Sequence, residues 1–181
     1  MQNIIPDFIY YEEIVFTIDE CKKIIKLSEE INEFYDSSQE KIPNVRYYKK
    51  IIKNTKNTNW IFEKLIDYFI EKTNVSLNKE PEELFVVKYE KECAFALHND
   101  GYGHNRIWSL VVQLGEDYNG GDLYLHLDKK IKINKSVGNC LIFRPEVWHE
   151  VTKITQGTRW SLIFFLNRDN ITQNNLNKSL Q

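Results

Sequence analysis

From residue 84 onward, apolar residues recur at period two in eight short runs, and this pattern restricts the fold more than any other feature of the chain. The runs are 84–90, 93–98, 106–114, 121–127, 130–135, 139–144, 147–152 and 157–166, rich in Val, Ile, Phe, Tyr and Trp. Residues i and i+2 of a strand point to one face, so each run reads as a strand with an inner and an outer side. The gaps "GYGHN", "EDYNGG" and "VGN" supply turn residues. About eight short strands so closely spaced predict a sandwich or a barrel-like jelly roll.

Ahead of this region the period lengthens. Residues 17–33, "TIDECKKIIKLSEEINE", predict a helix, with Thr17 and Glu20 at capping-box spacing and Cys21, Ile24, Ile25 and Ile31 on one side. Residues 59–73, "NWIFEKLIDYFIEKT", predict a second, with Asn59 as N-cap and Phe62, Leu65 and Phe69 on a stripe. Between them, residues 36–57 are polar and Lys- and Asn-rich, and read as a loop that either covers a substrate or is plain surface. The fold class expected is mainly β with N-terminal helices. It forms one domain over residues 1–170, with helical support over about 1–80, a core over about 84–166 and a polar, frayed tail over 171–181.

Composition narrows the function. A chain of 181 residues with 42% hydrophobic content has enough apolar material for one buried core. A net charge of −2 gives no electrostatic case for nucleic acid or for a polybasic membrane patch. Runs such as "WSLIFFL" are too short to span a bilayer, and "MQNIIPDFIYYEE" lacks the parts of a signal peptide. Cys21, Cys93 and Cys140 are odd in number and have no CxxC spacing, so they read as buried small hydrophobes in a reducing, cytoplasmic setting.

The chemistry-bearing residues start with "FALHNDGYG", residues 95–103. His98 and Asp100 stand two apart at a strand end, where strict alternation puts Ala96, His98 and Asp100 on one face and Phe95 and Leu97 on the other. The pair alone is either two metal ligands or two polar strand-end residues. His149, in "VWHEV", adds a third ligand type, and two His with one Asp is the donor set of a facial triad that leaves positions open on Fe(II). Arg159 sits in the most apolar strand, on a face shared with Ser161, Ile163 and Phe165. A guanidinium inside a barrel needs an anion, supplied either by a dicarboxylate ligand or by a protein carboxylate such as Glu150.

In this order and spacing, "KYEKECAFALHND", "RIWSLVVQLGEDYNGGDLYL" and "VGNCLIFRPEVWHEVTKITQGTRWSLIFFL" resemble the iron(II)- and 2-oxoglutarate-dependent dioxygenases, in particular the prolyl 4-hydroxylase-like branch. The resemblance implies a double-stranded β-helix. It implies Fe(II) on His98, Asp100 and His149, and the distal carboxylate of 2-oxoglutarate on Arg159. It places Tyr89, Ser109 and Gln113 along the cosubstrate pocket, although Gln113 departs from the tyrosine of some animal members. It also implies O2 as cosubstrate, ascorbate as reductant and a proline-containing peptide or protein as substrate, hydroxylated at C4 as 2-oxoglutarate becomes succinate and CO2. A free amino acid or other small molecule is the alternative substrate. Two further classes compete, a jelly-roll interaction module that keeps a metal without catalysis, and a zinc hydrolase, which would leave Arg159 unexplained. His104 and His126 read as surface residues, and Trp148 as packing or a pocket wall.

Overall fold

A computed structural model describes residues 10–31, 35–37, 45–79, 81, 83–101 and 105–171. A seven-stranded sheet runs in the order β1 (Tyr10–Ile14), β11 (Asn139–Phe143), β7 (Arg106–Gln113), β14 (Arg159–Asn167), β5 (Glu83–Tyr89), β4 (Tyr48–Lys53), β2 (Tyr35–Asp36). A five-stranded sheet runs β10 (Lys130–Lys132), β9 (Leu123–His126), β12 (Trp148–Val151), β6 (Ala94–His98), β3 (Val45–Arg46). Strands β8 (Tyr118–Gly120) and β13 (Ile154–Gly157) pair with each other. The pairings are antiparallel, and the two main sheets form the jelly roll that the period-two pattern predicts.

The larger sheet separates two apolar clusters. Trp160, Leu162, Phe164 and Leu166 of β14 face the helices α1 (Ile18–Glu29) and α2 (Asn59–Thr73), where Ile24, Phe62, Leu65 and Phe69 are buried. Phe62 meets Phe164 edge to face, with centroids 6.4 Å apart. The alternate residues Arg159, Ser161, Ile163 and Phe165 face a cleft between the sheets. The helices thus cover the outer face of the sheet, and its inner face is left for a site.

Local sequence explains most element ends. Thr17 and Glu20 form the expected capping box, the Thr17 hydroxyl accepting from the Glu20 N–H and the Glu20 carboxylate from the Thr17 N–H. At α2 the cap is Thr58, and Asn59 is the first helical residue, its side-chain amide donating to Glu63. Asn59, already inside the helix, has no capping role, and the Thr58 hydroxyl makes no cap bond either, accepting from the Thr55 N–H and donating to the Lys53 carbonyl in the preceding turn. At the "VGN" turn Gly138 has φ +83°, and a Cβ there would lie 1.8 Å from the Phe16 carbonyl oxygen.

The stretch 36–57 is not all loop. Tyr48–Lys53 is a six-residue strand against β5, and β2 and β3 add two residues to each sheet. Lysines hide the pattern in "YKKIIK", where only Ile52 is fully buried and Lys49 lies over the Phe85 ring. Residues 38–44 lie outside the described residues, as does the 172–181 tail. Strands β1, β8 and β13 also escape the sequence pattern: β1 because the adjacent Glu12 and Glu13 break its alternation, and β8 and β13 because each is only three or four residues long beside polar or turn residues.

Two irregularities aim side chains at the cleft. Between β6 and β12, Phe95 pairs with Val151 and His98 with His149, three steps on one strand against two on the other. This bulge breaks the expected alternation, so Phe95 joins His98 on the inner side and Leu97 is exposed. At the start of β7, Trp108 pairs with Leu166 and Arg106 with Asn167, two steps against one, and Arg106 turns into the cleft.

Candidate metal centre

His98 ends β6 and His149 lies opposite it on β12, with ring centroids 4.1 Å apart. Asp100 follows two residues after His98. Its Oδ1 lies 4.0 Å from His98 Nε2 and its Oδ2 lies 3.8 Å from His149 Nε2. One donor atom from each of the three residues falls within 4.8 Å of the others, a cluster that could hold a metal ion. The backbone supports this spacing. The N–H groups of Asp100 and Gly101 both donate to the Pro145 carbonyl, at 2.8 and 3.0 Å, which ties the Asp100 turn to the turn ahead of His149.

Both imidazoles are oriented with Nε2 toward the cluster. His98 Nδ1 meets the Ala96 carbonyl at 2.8 Å and His149 Nδ1 meets the Val147 carbonyl at 2.9 Å. A carbonyl can only accept, so each Nδ1 carries a proton there, and each Nε2 is the ring nitrogen turned toward the cluster. Burial, with His149 close by, pulls the His98 pKa down to about 4, so this ring is neutral at neutral pH. Phe95 stacks on it, centroids 3.8 Å apart.

Asp100 is held from two further sides. Ser109 Oγ donates to Asp100 Oδ2 at 2.7 Å in a fully buried contact. Arg106 Nη1 lies 3.6 Å from Asp100 Oδ1, with its guanidinium 3.6 Å above the centre of the Phe165 ring. Ser109 therefore touches Asp100 of the cluster and is absent from the cleft wall, contrary to the sequence-based placement.

The cleft has a volume of about 470 Å³ and is lined by the three ligand residues, Arg159, Tyr89 and a largely apolar and aromatic remainder. Arg159 is only 2% exposed. Its Nη1 donates to Ser161 Oγ at 3.1 Å, its guanidinium carbon sits 5.2 Å from the Tyr89 ring centre, and its buried Nε has no partner. Among the described residues no carboxylate lies within 4 Å of it, and Glu150 is engaged instead by His126 and Lys130. A buried guanidinium with an unpartnered Nε and, among the described residues, no carboxylate beside it could hold an anionic ligand. Burial raises the Tyr89 hydroxyl well above its ordinary pKa, so it stays protonated.

Other sequence-based placements shift. Gln113 donates to the Gly115 carbonyl and lines, with Tyr118, a small chamber that shares Val111, Leu123 and Arg159 with the cleft. Trp148 is 50% exposed and forms no part of the cleft wall. His126 is partly exposed on the outer side, and His104 lies outside the described residues. Sequence reasoning misses Arg106, Phe95 and Lys49 as cleft residues, and reaches Tyr47 only as part of the stretch that either covers a substrate or is plain surface. The first two depend on bulges, and the others lie in the stretch that reads as a loop.

No family model matches the chain, and no curated protein does. Solved structures do. A prolyl-4-hydroxylase from Pseudomonas putida superposes with a TM-score of 0.74 at 16% identity, covering 90% of this chain and 94% of that one. The chain has the fold of the 2-oxoglutarate- and iron(II)-dependent oxygenases. An oxidoreductase of the 2OG-Fe(II) oxygenase family from Burkholderia pseudomallei aligns with a TM-score of 0.72 at 16% identity, covering 92% and 88%. A Trichoplax adhaerens prolyl hydroxylase, in complex with a peptide fragment of the hypoxia inducible factor oxygen degradation domain, gives 0.69 at 15%, covering 96% and 87%. Within this oxygenase fold, the His-Asp-His cluster and Arg159 open onto one cleft between the sheets.

Proposed function

We propose that this protein is an Fe(II)- and 2-oxoglutarate-dependent dioxygenase that hydroxylates C4 of a peptidyl proline. Residues 1–170 would form its single catalytic domain. The observation that carries the reading is one cleft holding both a His-Asp-His cluster and a buried guanidinium whose Nε has no partner. A structural metal site would account for the first and leave the second without a reason. The proline substrate rests on the likeness to the two prolyl hydroxylases, one of them in complex with a peptide.

The donor set fits a divalent iron. His98 and His149 would bind it through Nε2 and Asp100 through its carboxylate, which offsets part of the metal's charge. Iron, when bound, supplies the redox chemistry by which O2 converts 2-oxoglutarate to succinate and CO2 and places one oxygen atom in the substrate C–H bond. The chain's own groups bind and orient. Arg159 would take the distal carboxylate of 2-oxoglutarate, with Ser161 fixing one arm of the guanidinium and Tyr89 stacked beside it. Val87, Val111, Ile163 and Phe165 keep the cleft wall dry around these charges. No protein nucleophile or general base is required, and ascorbate would keep the iron reduced between turnovers.

The test is 2-oxoglutarate turnover by the purified protein with Fe(II) and ascorbate under air, read as succinate, with and without a proline-rich peptide. The expected result is peptide-stimulated succinate and one added oxygen on the peptide by mass spectrometry, both lost in His98→Ala. Succinate that no peptide stimulates would reject the peptidyl substrate and leave a small-molecule hydroxylase. The absence of both succinate and iron binding would reject the oxygenase.

A further inference from the structure

Ser109 is 0% exposed at the middle of β7, in register with Phe143 of β11 and Phe165 of β14. A hydroxyl in that apolar setting needs a hydrogen bond, and its acceptor lies on the opposite sheet's side of the cleft, Asp100 Oδ2 at 2.7 Å. This bond reaches across the barrel, from the centre of the larger sheet to the turn that ends β6. The other carboxylate oxygen faces Arg106 Nη1 at 3.6 Å, an ion pair too long for a hydrogen bond. Arg106 also faces the Asp100 carbonyl, at 3.5 Å, and is itself held by stacking on Phe165. The backbone of the same residue is fixed by the Pro145 carbonyl. Asp100 therefore has one oxygen committed to a short bond, the other beside a cation, and a main chain tied to the His149 turn.

We propose that Ser109 is a positioning residue for the metal, fixing the rotation of the Asp100 carboxylate so that it meets the two imidazole Nε2 atoms without reorganising. The proposal rests on reading the cluster as a metal centre. The physical reason is general: a ligating carboxylate free to rotate loses side-chain entropy when it binds, and a hydrogen bond made beforehand removes that loss. Arg106 supplies no substitute, because its contact with Oδ1 lacks hydrogen-bond geometry and its positive charge opposes an incoming cation.

Metal binding separates this from a packing role. Co(II) is titrated into the protein under argon and followed by its visible absorption, in the absence of 2-oxoglutarate. The wild-type chain should bind one Co(II) and His98→Ala none. Ser109→Ala should bind about 10–100-fold more weakly, as for other groups that orient metal ligands. Ser109→Thr, which keeps the hydroxyl, should recover most of that loss, and Ser109→Cys, close in shape with a poor donor, should not. Melting curves without metal establish that each variant is folded. Wild-type affinity in folded Ser109→Ala, or a loss in Ser109→Thr equal to that in Ser109→Ala, overturns the positioning role while the metal centre stands. Absence of Co(II) binding by the wild-type chain overturns the metal centre and this proposal with it.

Discussion

Arg159 sits where a charge without an anion is costly, 2% exposed, donating to the Ser161 hydroxyl and with an unpartnered Nε. Such a residue trades stability of the ligand-free protein for affinity. Arg159→Met keeps much of the side-chain volume and removes the buried charge. The ligand-free variant should melt at a higher temperature than the wild-type chain, by about 1–4 kcal/mol of stability. It should also bind 2-oxoglutarate more weakly by about 2–5 kcal/mol. A variant that melts lower and binds 2-oxoglutarate normally would mean that the guanidinium is structural. At this scale the sequence goes far. His98, Asp100, His149 and Arg159 are readable because residue type and chain order carry their meaning. The partner of Ser109 is not readable, because it lies nine residues back along the chain and across a barrel whose closure no local pattern encodes.

The start of helix α1 is legible to the residue, since its capping box is a local signal, whereas the expected extent to residue 33 overshoots its end at Glu29. Burial alone would push the Glu20 carboxyl up, but bonds from Lys64 and from the Thr17 backbone and hydroxyl bring it below its usual value of 4.5. A carboxyl with a lowered folded pKa contributes stability that is present above its unfolded pKa and lost as pH falls through the folded one. Glu20→Gln should therefore cost about 0.5–1 kcal/mol at neutral pH. Its stability should fall less steeply than wild type in acid below about pH 4.5. Parallel acid limbs in urea melts of the two proteins would refute the assignment. Strand β4 shows the opposite case. Its lysines mask the alternation, and its backbone becomes a strand because β5 offers a partner edge. The bulge in β6 is likewise invisible in "AFALH", although it decides that Phe95 and not Ala96 lies beside His98.

For the molecule as a whole, the site is a seam between two sheets, with both imidazoles on the smaller sheet and Arg159 and Ser109 on the larger. Ligands that join the two sheets should stabilise the whole fold by mass action. With Mn(II) present, 2-oxoglutarate at a hundred times its Kd should add about 2.7 kcal/mol. For a domain of this size that is a rise of about 5–10 °C in Tm. A chelator should abolish most of the rise, because the cosubstrate would then keep only its Arg159 contact. A 2-oxoglutarate shift that persists in full without metal would contradict binding across the seam. The sequence by itself determined the eight-strand core, the two helices, the face of β14 that carries Arg159 and the identities of the four central polar residues. These depend on period, spacing and residue type within short windows. Only the tertiary structure decided that Ser109 serves Asp100, that Arg106 and Phe95 enter the cleft, that Gln113 does not line it, and that part of 36–57 completes the sheets. Each of those depends on register between strands distant in sequence, where a shift of one residue exchanges inside for outside.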